Sequence, residues 1–201
     1  MIKAVIWDLG GVIVRTMDTS FREEWEDRLN LQPGELHDIV FDGPAGRLAS
    51  IGQVGPDEVW DSIAKRFDLS QDECVNLQED FWGGDRVDKH LVSFIDRIRQ
   101  GYKSGLISNA WLSLRNHIEV EWKIDHLFDD VLISAEVGIT KPDPAIYERS
   151  LANLDVTPDN AIFVDDFKVN LHAAESLGMK TVWFQSTSQT IEAVESLLKT
   201  A

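Results

Sequence analysis

Four short stretches carry residue types that could do chemistry together. Asp8 closes the apolar run Ile2-Lys3-Ala4-Val5-Ile6-Trp7, and Ser108-Asn109 follows Leu106-Ile107. Lys141 precedes Pro142-Asp143-Pro144, and Asp165-Asp166 closes Ile162-Phe163-Val164. A carboxylate at the mouth of an apolar run resists losing its water and is costly unless something pairs with it. Asp8 therefore either caps a turn or meets a cation. Adjacent carboxylates raise each other's pKa unless a cation intervenes, and hard divalent ions such as magnesium take oxygen ligands of this kind. Read alone, Asp165 and Asp166 are equally a solvated turn or a metal site.

The other two stretches are also open when read singly. Ser108 or Asn109 is expected either to cap a helix starting near Trp111 or to sit where backbone N–H groups point at an anion. Pro142 holds Lys141 out of helical geometry, while Asp143 at the N-cap and Pro144 at the first helical position start the next helix. Lys141 is thereby fixed in place, as a solvated loop charge or as the partner of an anion.

The elements that must position these residues alternate in type. Apolar, strand-like runs occur at Ile2–Trp7, Lys103–Ile107, Asp130–Ile133, Ala161–Val164 and Thr181–Phe184. Helix-period stripes separate most of them: Leu91, Phe94, Ile95 and Ile98; Ile146, Tyr147, Leu151 and Leu154; Leu171, Ala174 and Leu177 before Gly178. This alternation predicts an α/β fold, a Rossmann-like parallel sheet with helices on both faces, with ligands at the carboxyl ends of its strands.

One stretch breaks the pattern. From Asp18 to Phe81 the periodicity is helical, with Phe21, Trp25 and Leu29 on one stripe and Val59, Trp60, Ile63 and Phe67 on another. Pro33-Gly34, Gly43-Pro44 and Gly55-Pro56 divide it into short helices, and Gly83-Gly84 could act as a hinge. The expected organisation is a core of residues 1–16 and 85–201 with a small inserted helical cap at 17–84. Trp25 and Trp60 read as cap packing. Strand alternation turns the Trp7 side chain away from that of Asp8, and Trp82, near the hinge, is placed to close over a substrate.

Composition narrows the function classes. At 201 residues the chain accommodates one sizeable core with a modest insertion. Acidic residues outnumber basic ones by 35 to 19, for a formal charge of -16, a field that repels nucleic acid and anionic membrane surfaces. A small anionic substrate needs a local reversal of sign. Cys74 is the single cysteine, which excludes an intrachain disulfide and a thiolate zinc cluster and suits a reducing cytoplasm, the expected location. The five histidines show no metal-ligand spacing, and no export or membrane-spanning segment is evident. Oligomeric state is not legible.

Taken together and in this order, Asp8, Ser108, Lys141 and Asp165 with Asp166 resemble the four motifs of the haloacid dehalogenase (HAD) superfamily of hydrolases. The phrases Lys141-Pro142-Asp143-Pro144-Ala145-Ile146-Tyr147 and Phe163-Val164-Asp165-Asp166 are similar to those of its phosphatase-like members. The resemblance spans the whole chain, and the helical insertion matches that family's small cap. It implies that Asp8 attacks phosphorus and forms an aspartyl-phosphate. Asp8, the Gly10 backbone carbonyl and Asp165 would hold Mg2+, with Asp166 as a further or water-mediated ligand. Ser108 and the Asn109 backbone N–H would hold a phosphoryl oxygen, and Lys141 would neutralise developing charge. Asn170 would support the ligands from behind.

The chain departs from that pattern at one position. Family phosphatases usually carry a second Asp two residues after the nucleophile, as acid and base; here Asp8-Leu9-Gly10 stands in its place. General acid-base help is typically worth about a hundredfold to ten-thousandfold. Expected is a magnesium-dependent phosphatase of a small phosphorylated metabolite with a good leaving group, such as a sugar 1-phosphate or an acyl phosphate. The alternatives are a carbon–halogen hydrolase of the dehalogenase branch, which usually has Tyr at that position and needs no metal, and a non-catalytic binding protein on the same scaffold.

Overall fold

The structure is a computed structural model and describes residues 1–199. The apolar runs become strands β1 (Ala4–Trp7), β4 (Lys103–Ser108), β5 (Asp130–Ile133), β6 (Ala161–Asp165) and β7 (Lys180–Trp183) of one sheet in the order β5-β4-β1-β6-β7, every neighbouring pair parallel. All five expected strands are present, with ends shifted by a residue or two. β1 lies at the centre and is buried along its length, as a sheet covered on both faces requires.

Two apolar clusters cover those faces. Val5, Trp7, Ile162 and Val164 enter one, with Leu91 and Phe94 of the helix Lys89–Ile98 and Val194 of the helix Thr187–Lys199. Ala4, Ile6 and Phe163 enter the other, with Ile146, Tyr147 and Leu151 of the helix Pro144–Asn153 and Leu171 and Ala174 of the helix Lys168–Ser176. Alternate residues of one strand thus feed opposite layers. Trp7 packs edge-on against Phe94, with centroids 6.2 Å apart, on the face opposite the one its neighbours in sequence take.

Between β1 and β4 the chain leaves the sheet and returns through two short antiparallel strands, β2 (Val14–Thr16) and β3 (Asp85–Val87). The crossing is close: Met17 N–H donates to Gly84 O at 2.9 Å, and a Cβ on Gly84 would stand 1.9 Å from Asp18 O. Five helices lie between the two strands: α1 (Ser20–Arg28), α2 (Glu35–Asp42), α3 (Pro44–Ser50), α4 (Pro56–Phe67) and α5 (Gln71–Gly83). Proline at the first turn starts α3 and α4, and Ser70 accepts from Glu73 N–H to cap α5. They enclose a third apolar cluster built on Trp25, Leu36, Val40, Val59, Trp60, Ile63, Leu77 and Phe81, which Trp111 joins from the segment after β4.

That segment corrects one expectation. The helix expected near Trp111 starts at Leu114 and is short and irregular: three α-helical residues, Leu114–Asn116, continue as a π-helical turn over His117–Glu121. Ser108 is the last residue of β4 rather than a cap, and the Asn109 side chain is engaged elsewhere. Among the described residues no helix is long and apolar enough to cross a membrane.

Candidate active site

Parallel pairing brings the carboxyl ends of β1, β4 and β6 side by side: β4 ends in Ser108 and β6 in Asp165, and Asp8 follows β1 directly. Asp8 N–H donates to Val164 O at 2.8 Å, extending the ladder one step past β1. The chain then folds back, with Ile13 and Val14 N–H groups both donating to Leu9 O at 2.8 Å. Gly11 makes this reversal at φ +78°, where a side chain is strained. A Cβ there would lie 2.2 Å from Asp166 Oδ2, so the bare glycine also makes room for that carboxylate.

Lys141 is held by its backbone. The Asn109 side-chain oxygen accepts from Lys141 N–H at 2.7 Å and its amide donates to Lys141 O at 2.8 Å. On the far side Asp143 N-caps the next helix, accepting from Ala145 N–H at 2.9 Å, with Pro144 in the first turn. The ammonium is buried, 2.7 Å from Asp8 Oδ1 and 2.8 Å from Asp165 Oδ2. Leu9 N–H donates to Asp8 Oδ1 at 2.7 Å. Both donors therefore fall on Oδ1, and Oδ2 takes no hydrogen bond among the described residues.

Asp165 is the most enclosed of the carboxylates, at 0% exposure. Phe167 N–H donates to its Oδ1 at 2.7 Å, and the Asn170 amide reaches both its oxygens at 3.1 Å. Asn170 is held in turn by Tyr147, whose hydroxyl donates to Asn170 O at 3.1 Å. Burial pushes Asp8 up to about 7, against the pull of Lys141 and with the push of Asp165. Burial and the Asp165 charge push Asp166 up to about 6. Burial alone would lower Lys141, but the carboxylates of Asp8 and Asp165 outweigh it and raise its pKa. Three carboxylates thus converge on one ammonium, and negative charge is in excess.

The structure brings Asp8, Lys141, Asp165 and Asp166 to one point. Ser108 lies buried at the tip of the neighbouring strand, and its hydroxyl makes no hydrogen bond among the described residues. Gly10 is exposed, and a Cβ there would meet nothing within 4 Å. Sequence reasoning missed the Asn109 side-chain grip on Lys141, a contact between residues 32 positions apart that no local pattern encodes. It also missed Gly11 as the neighbour of Asp166; the paired glycines after Asp8-Leu9 were the available signal.

The donor set fits a hard divalent cation. Asp8, Asp165 and Asp166 each offer a carboxylate oxygen, all within 4.8 Å of one another. Asp166 Oδ1 is buried with no hydrogen-bond partner, a cost that a cation would remove.

A family model described as haloacid dehalogenase-like hydrolase matches residues 2–178. Bifunctional epoxide hydrolase 2 of Sus scrofa is 24% identical over 98% of this chain, which spans 39% of that longer protein. The sesquiterpene phosphatase astK of Aspergillus oryzae is 27% identical, over 88% of this chain and 87% of its own length. Among solved structures, a HAD family enzyme of Bacteroides thetaiotaomicron in complex with magnesium and inorganic phosphate superposes with a TM-score of 0.73 at 20% identity, covering 92% of this chain and 95% of that one.

Proposed function

The chain belongs to the haloacid dehalogenase-like hydrolases, and we propose that it is a magnesium-dependent phosphatase that hydrolyses a small phosphorylated metabolite through an aspartyl-phosphate on Asp8. The observation that carries this reading is the asymmetry of Asp8. Lys141 and the Leu9 N–H hold Oδ1, which leaves Oδ2 as the attacking oxygen.

In this reading the phosphoryl group lies between Asp8 Oδ2 and the tip of β4, where the Ser108 hydroxyl and the Asn109 backbone N–H hold one of its oxygens. Oδ2 bonds to phosphorus as the bond to the alcohol oxygen breaks, and water later cleaves the acyl phosphate. Lys141 sets its charge against Asp8 and the phosphoryl oxygens, in a dry site where such an interaction is strong. Asp8, Asp165, Asp166 and the Gly10 carbonyl would hold Mg2+, which when bound supplies the positive charge that keeps the carboxylates and the phosphate from repelling each other. Gly10 offers no acid for the departing oxygen. A good leaving group or a proton from elsewhere, either solvent or the helices over the site, makes up for it.

Residues 17–84 act as a cap over this centre, the core being 1–16 and 85–201. The protein works in the cytoplasm on a soluble metabolite and not on nucleic acid or membranes, in keeping with its acidic charge. Phosphatase-named relatives and converging carboxylates favour this reading over carbon–halogen hydrolysis. A panel of phosphate esters and 2-haloacids, assayed with magnesium and with excess chelator, tests it. Ester hydrolysis lost in chelator is expected; dehalogenation persisting in chelator would overturn it.

A further inference from the structure

Resting on the phosphatase reading, we infer that the organic part of the substrate is apolar, and that Trp82 and Phe41 of the helical layer, seated on the buried Trp111, form the wall it packs against. Trp111 follows Ser108 by three residues, so the chain cannot separate their α-carbons by more than about 11 Å. A phosphate ester of ordinary size held at Ser108 spans that distance.

The wall is layered. Trp60, Phe81 and Trp111 are buried and belong to the helical core. In front of them Trp82 is 39% exposed and Phe41 is half-buried. Phe41 lies 5.8 Å from Trp82 and 5.5 Å from Trp111, and Trp82 meets Trp111 edge-on at 6.2 Å. His37 covers another side of Phe41, at 4.8 Å. The wall is therefore carried by the helical layer and backed by Trp111, from the loop that carries the phosphate-side residues.

Apolar side chains also lie exposed beside the carboxylates. Phe167 and Val169, just after Asp165-Asp166, are 59% and 55% exposed, and the Trp183 indole donates to Asp166 O at 3.0 Å while staying partly exposed. The one carboxamide beside Ser108, that of Asn109, is spent on the Lys141 backbone, so a polyol would bury hydroxyls without partners on this side.

The test compares benzyl phosphate with glycerol phosphate, both esters of primary alcohols that leave about equally well, magnesium present. Wild type is expected to favour benzyl phosphate by about tenfold or more in kcat/KM, the scale of burying one ring. Trp82→Ala should bring that ratio towards one, and Trp82→Phe should restore most of it. A wild-type ratio at or below one, or a ratio untouched by Trp82→Ala, would overturn the inference. If neither ester is turned over, the phosphatase reading fails by itself, and calorimetric binding of the same two esters to wild type decides. Tighter binding of benzyl phosphate by about tenfold supports the apolar wall; equal or weaker binding rejects it.

Discussion

Asn109 grips the backbone of Lys141 from both sides, accepting from its N–H at 2.7 Å and donating to its carbonyl at 2.8 Å. The tip of β4 thereby sets the place of the ammonium that reaches Asp8 and Asp165. Asn109→Ala removes both bonds without touching the ammonium. Phosphatase kcat should fall about tenfold to a hundredfold, the cost of misplacing a catalytic group by an ångström or so, with KM moving less. Stability should drop by about 1–3 kcal/mol, since a buried backbone pair loses its partner. Steady-state kinetics and thermal melts check the two effects separately.

Gly10 is the place to restore a missing function. A Cβ there would meet nothing within 4 Å, and Gly10 is absent from the positive-φ positions, so Gly10→Asp is expected to fold normally. It adds a carboxyl two residues after Asp8 that can protonate a departing alkoxide. Turnover of alkyl phosphates should rise by about tenfold to a hundredfold, below the full worth of a native acid, while acyl phosphates, which need little protonation, should change less. Parallel assays of the two substrate types check this.

Acidity has a defined sign at this site. Asp8 and Asp166 are pushed up to about 7 and about 6 by burial and by neighbouring carboxylates, from an ordinary value of 3.8. Between those limits the unfolded chain has released protons that the folded chain still holds. Metal-free stability should therefore fall as pH rises from 3.8 towards 7, by about 1.4 kcal/mol per unit for each group within its window, and these groups add no slope above it. Lys141, raised above 10.5, keeps its contribution across this whole range. Magnesium needs the carboxylates ionised, so it should raise the Tm more at pH 8 than at pH 5. Melts with and without magnesium at both values decide.

The sheet was legible in the sequence because its strands are short apolar runs set between helix-period segments, as Ile162-Phe163-Val164 shows. Asp8 and the acidic pair could be nominated because each closes such a run, Lys141 because Pro142 holds it out of helical geometry, and the Asp143-Pro144 helix start could be placed in advance. Long-range contacts could not. The Asn109 grip depends on a loop 32 residues away, and it takes up the side chain that local pattern assigns to a helix cap. The joining of Trp111 to the helical layer is of the same kind: a tryptophan after a strand looks alike whether it covers its own helix or packs under an insertion.

The most direct measurement is an acid-quenched single turnover with magnesium and a phosphate ester, followed by mass mapping of the protein. The account predicts a phosphoryl group on the peptide that contains Asp8, absent from Asp8→Asn, which should also lose turnover. Release of phosphate with no phosphoryl-protein at any time, or an Asp8→Asn protein that turns over as fast as wild type, would contradict it.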